Sequence, residues 1–86
     1  MIINLNVPIL GLDGLELPES NLGKIIAQTL ASSSKGDALK LWHWAQNLYA
    51  GKDLDLDPSD VETLKGFIKD SEQLTILAKA QALACL

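Results

Sequence analysis

Between residues 38 and 49 the apolar side chains Ala38, Leu41, Trp42, Ala45, Leu48 and Tyr49 return at intervals of three and four. That period puts them on one face of an α-helix and on no single face of a strand. Asp37 in the first turn complements the helix dipole, and Gly51 is suited to end the helix in a left-handed cap, so the spacing predicts a helix over 37–50. A large two-ring side chain on the stripe, Trp42, is expected in the core. Whatever else the chain forms has to cover this helix.

The rest of the chain supplies that cover in short pieces. Ile3, Asn4, Leu5, Asn6 and Val7 alternate with the period of two that marks a strand with one buried face, and Pro8 ends the run. Asp13-Gly14 then separates two short apolar arms, Leu10 to Leu12 and Leu15 to Leu17, as in a hairpin turn. A β-hairpin is therefore expected over 1–18. Ser20 or Asn21 is a suitable N-cap for a helix over 20–34, with Leu22, Ile25, Ile26, Thr29 and Leu30 on one stripe. The serines at 32 to 34, followed by Lys35-Gly36, read as a break.

The stretch "DLDLDPSD" at 53–60 has the aspartate spacing of a calcium loop, but the loop's sixth and twelfth positions hold Pro58 and Leu64. Calcium coordination in such a loop needs a glycine and a bidentate glutamate there, so no metal is expected. Asp57-Pro58-Ser59-Asp60 reads instead as a helix start, with Asp57 as N-cap, Pro58 at the first position and Asp60 at the third. Leu54 and Leu56 alternate with the aspartates, which suits a short strand at 53–56 pairing with the amino-terminal hairpin. Helices are expected over 58–70, with Val61, Leu64, Phe67 and Ile68 inward, and over 72–85. The last is apolar on most of its circumference, with Leu74, Leu77, Ala78 and Cys85 on one side and Ile76, Ala80 and Leu83 on another. Such a helix requires cover on more than one side, and a subunit or partner interface is one source of it.

With 86 residues the chain suits a single domain spanning 1–86, because chains of this size bury only about 60–65% of their unfolded surface. Eleven acidic residues face seven lysines and no arginine, a formal net charge of -4. That balance lacks the basic, arginine-bearing patch of a nucleic-acid binder, and neither nucleic acid nor a membrane is an expected partner. One cysteine, Cys85, cannot close an internal disulfide and suits a reducing compartment. It has no neighbouring cation to activate it and reads as a small hydrophobe. The amino-terminal segment lacks the basic region and cleavage site of a signal peptide, and no apolar run reaches the ~20 residues of a membrane span, so the host cytoplasm is the expected location.

No catalytic or cofactor pattern is present. His43 is the sole histidine, lies on the polar side of its helix and has no sequence-adjacent nucleophile or carboxylate to complete a triad or metal set. Gly11 and Gly14 do not form a phosphate-binding pattern. No enzyme activity and no cofactor are expected. Trp44, two positions from Trp42, points away from the stripe and either contacts a partner or covers the hairpin within the same subunit. Trp44, the acidic pair Asp53 and Asp55, and Ile76, Ala80 and Leu83 of the last helix are the candidate interface residues.

The segment "LKLWHWAQNLYAGKDLDLDPSDVETLKGFI", with the amino-terminal "INLN" and "LDG", resembles small uncharacterised proteins encoded in phage and prophage genomes. The resemblance covers most of the chain through structural motifs. It implies an accessory protein acting by binding, as a virion-assembly factor or small virion component, with phage structural proteins as partners. The alternative is a phage-encoded inhibitor that binds a host protein complex through an acidic surface mimicking nucleic acid. Together these features specify an α+β fold, mainly helical, with a small antiparallel sheet packed on about four helices, and a tendency to form homo-oligomers.

Overall fold

The acidic stretch organises the middle of the chain in the computed structural model, which describes residues 1–34 and 36–86. Lys35, part of the expected break, lies outside the described residues. Asp57 caps helix α3 (Pro58–Asp70): its carboxylate accepts from the Asp60 backbone N–H at 2.7 Å, and Pro58 occupies the first turn, where it forfeits no hydrogen bond. Just upstream, strand β2 (Leu54–Asp55) pairs antiparallel with strand β1 (Ile2–Ile3), Ile3 opposite Leu54 and Ile2 opposite Asp55. The alternation seen in the sequence is real here, since Leu54 and Leu56 are buried while Asp53 and Asp55 face water.

Helix α1 (Leu22–Ser32) starts at Asn21, whose side chain accepts from the Lys24 N–H. Helix α2 (Ala38–Tyr49) starts at Asp37, which accepts from the Lys40 N–H, and is followed by Gly51 in the left-handed region at φ 77°. Helix α4 (Ile76–Ala84) is capped by Thr75. Among the described residues, four helices and one two-stranded antiparallel sheet form a small, mainly helical α+β fold. One core of Leu5, Leu22, Ile26, Leu48, Leu64 and Ile68 joins the amino-terminal segment, α1, α2 and α3, with Ala78 and Ala82 of α4 and Leu74 just before it closing the core.

Three expectations need correction. The amino-terminal hairpin is reduced to a turn with one antiparallel bridge, Leu10 to Glu16, because the Ile2–Ile3 edge pairs with β2 and not with the arms of the Asp-Gly turn. Gly14 does take the left-handed conformation there, φ 82°, and Gly11 donates to the Leu15 carbonyl. The last helix begins at Ile76 and not near 72, since the Thr75 hydroxyl captures the Ala78 N–H and fixes the first turn, leaving Leu74 buried in the preceding segment. The third correction concerns α2 and is the larger one.

Candidate interaction surface

Helices α1 and α2 make the most extensive helix-to-helix contact among the described residues. What lets them close is Gly23. Its N–H donates to the Leu5 carbonyl at 2.8 Å, and a Cβ there would stand 3.1 Å from both the Leu5 and Leu48 carbonyl oxygens. The start of α1, the extended segment and the end of α2 therefore meet at a point with no room for a side chain.

Docked this way, α2 buries Leu41, Trp44, Ala45 and Leu48, a stripe spaced three, one and three. Trp42, expected in the core, is 55% exposed, and Trp44, for which a partner contact and cover within the subunit were both open, is 5% exposed. Ala38 and Tyr49, also assigned to the core stripe, are exposed. The reason is geometric. Leu41, Ala45 and Leu48 belong to two overlapping stripes, one completed by Ala38, Trp42 and Tyr49 and the other by Trp44, and the position of α1 selects the second. A Trp44 so deeply buried has no surface to offer a partner of the folded chain.

The outward side of α2 carries Leu39, Trp42 and Tyr49 at spacings of three and seven. Between Trp42 and Tyr49 and the small side chains of α1 lies a hollow of about 380 Å³, floored by Ala27, Ala31 and Ala45. A second hollow, on the Leu39 side, shares Ala31 and Trp42 with the first, so Trp42 is the ridge between them. None of the described residues lining either hollow is charged. At one margin the Lys24 ammonium sits 5.4 Å from the centre of the Tyr49 ring, a cation–π distance. On the other side of α2, away from the hollows, Lys40 donates to Asp60 at 2.7 Å and lies 5.8 Å from the Trp44 ring. That hydrogen bond, with the Asp60 charge second, raises the Lys40 pKa above its ordinary 10.5.

The other candidate residues fall on separate surfaces. Asp53 accepts from the Asn4 amide and Asp55 lies 3.6 Å from the Met1 ammonium, so each is partnered although exposed. Ile76 is 85% exposed and Ala80 is exposed, while Leu83 is half-buried against the core. The last helix is thus apolar on both sides but covered on one. Cys85 and His43 are exposed.

Two sets of exposed apolar residues were missed in the sequence. Leu39 with Trp42 and Tyr49 forms a second helical stripe, visible once two stripes are sought in α2 instead of one. Leu12, 100% exposed, and Leu15 stand out from the Asp-Gly turn, where an alternating pattern suggested one buried arm face. Beside that turn the Gln81 side chain holds both backbone groups of Leu10, accepting from its N–H at 2.8 Å and donating to its carbonyl at 2.6 Å. A side-chain amide thus fills the edge that a neighbouring strand would otherwise pair with.

Among the described residues no three His, Cys, Asp or Glu side chains lie together in a way that would hold a metal ion, and no helix is long and apolar enough to cross a membrane. No family model, curated protein or solved structure matches the chain.

Proposed function

We propose that this protein is a non-enzymatic protein-interaction module whose principal contact surface is the outward face of α1 and α2. The observation that carries the reading is the exposure of Leu39, Trp42 and Tyr49 around hollows with no charged residue in their described lining. Exposed aromatic side chains grouped on rigid helices, over pockets they border, are the usual anchors of protein interfaces. On the reading of the sequence as phage-like, the module is an assembly factor or minor virion component acting in the host cytoplasm, with phage structural proteins as partners. The acidic pair Asp53 and Asp55 gives less support to an inhibitor of a host complex, because both carboxylates already have partners within the chain.

Affinity capture with the tagged protein from phage-producing and uninfected cells tests the reading. Phage structural proteins should be retained by the wild type and lost with Trp42→Glu, while Ile76→Lys retains them. An identical bound set for wild type and Trp42→Glu overturns the assignment of the face, and capture of one host complex from both lysates favours the inhibitor.

A further inference from the structure

We infer that the α1–α2 face is occupied by a second copy of this chain, the two copies meeting through that face about a two-fold axis beside Trp42; the inference rests on that face being a contact surface. Charge, shape and area each point to a self-partner.

Neither α1 nor α2 contains an acidic residue; between them they hold Lys24, Lys40 and His43. With His neutral, the two lysines give the helix pair +2, so the remainder of the chain must carry -6 for the total to reach -4. Two copies of an acidic protein repel least through surfaces free of acid. Helix α4 is acid-free as well, but its exposed large apolar side chain is Ile76 alone, with no hollow among the described residues beside it to receive a ridge. Lys40 is already committed to Asp60 within its own chain, and Lys24 sits over its own Tyr49 ring at the margin of the face, where its exposed ammonium stays in water.

The shape is self-complementary. A ridge, Trp42, stands directly beside the hollow floored by Ala27, Ala31 and Ala45. A two-fold axis lying in the plane of the seam and passing between the ridge and that hollow places each Trp42 over the other copy's hollow, which is the isologous arrangement in which one patch serves both partners. The four helices, two from each copy, then form one layered bundle with α2 packed against its symmetry mate.

The area suffices for a modest dimer. Helices of 11 and 12 residues, at about 1.5 Å per residue and about 10 Å apart, give a face of roughly 18 by 20 Å in plan. Following its relief, that is on the order of 500 Å² per copy, near the lower bound of about 1,000 Å² in total for a specific interface. The charge pattern of the contact fixes the sign of its salt dependence. Because the seam is apolar and the copies repel through acids elsewhere, added salt tightens the dimer; a seam built on ion pairs loosens.

Sedimentation equilibrium of the full chain from about 1 to 500 μM, at low and at 0.5 M sodium chloride, tests this. A monomer–dimer equilibrium is expected that strengthens with salt, is weakened at least tenfold by Trp42→Glu, and is unchanged by Ile76→Lys, with circular dichroism matching the wild type in both variants. A wild type that stays monomeric at the highest concentration, a dimer that survives Trp42→Glu, or a dimer that salt weakens overturns the inference. If the wild type is monomeric but Trp42→Glu still loses the captured phage proteins, only the self-partner falls. If Trp42→Glu alters neither self-association nor capture, the contact-face reading falls with it.

Discussion

The inward face of α2, with Leu41, Trp44, Ala45 and Leu48, and its outward face, with Leu39, Trp42 and Tyr49, carry comparable apolar mass and meet different surroundings. One is closed by α1 and the core; the other looks onto shallow hollows. Apolar content thus does not decide which side of a short helix is buried, and the neighbour that arrives does. Helix α4 makes the same point with less material. Ala78 and Ala82 face the core, whereas Ile76 and Ala80 remain outside on a helix of nine residues. An exposed isoleucine without aromatic neighbours is ordinary surface, while three large side chains bordering hollows are a patch.

The two tryptophans give the sharpest way to break this comparison. Trp44→Ala opens a cavity in the core and is expected to cost about 3–5 kcal/mol, a large share of the stability of a domain of this size. Trp42→Ala is expected to cost less than about 1 kcal/mol when measured at low micromolar concentration. Urea titrations followed by circular dichroism compare them directly. Equal losses would mean that the outward face is held by contacts within the same chain.

A second pair sharpens where the covered face ends. Gly23→Ala drives a methyl group against the Leu5 and Leu48 carbonyls, and overpacking of this kind costs about 1–3 kcal/mol. Gly66 lies inside α3 with nothing within 4 Å of where a Cβ would stand. Gly66→Ala should therefore stabilise by about 0.5–1 kcal/mol through the entropy of the unfolded chain. The two changes are chemically identical, so opposite signs in the urea midpoints isolate the close approach at Gly23. Two losses of the same size would remove it as the point that sets α1 on α2.

Local chemistry was legible in the sequence and tertiary choice was not. Asp57, Pro58 and Asp60 announce the start of α3 because an N-cap is satisfied within four residues, and Asp57→Ala should cost about 1 kcal/mol in the same titration. The alternation of Leu54 and Leu56 with aspartate announced β2 for the same reason, since a strand's two faces are written in consecutive residues. Trp42 and Trp44 could not be told apart that way. Both complete an apolar stripe through Leu41, Ala45 and Leu48, and the choice between them is made by α1, whose approach depends on Gly23 and on residues far off in sequence. The candidate surface inherited that ambiguity. It was sought at Trp44 and on the last helix, and the exposed stripe lies instead on the opposite side of α2.

The smallest effect concerns the border between the two faces. Lys40 lies beside the buried Trp44 ring and donates to Asp60 of α3, so it ties the covered side of α2 to the next helix. Its pKa is raised in the folded chain, chiefly by that hydrogen bond. A lysine with a raised folded pKa contributes stability that is complete below its ordinary value of 10.5 and disappears as pH rises through the folded value. Lys40→Met keeps the apolar stem and removes the charge. The difference in urea midpoint between wild type and Lys40→Met should therefore favour the wild type slightly and evenly from pH 8 to 10, then shrink above that. A difference that is absent at pH 8, or that persists undiminished at pH 12, would show that the stem packed beside Trp44 holds this edge and the charge does not.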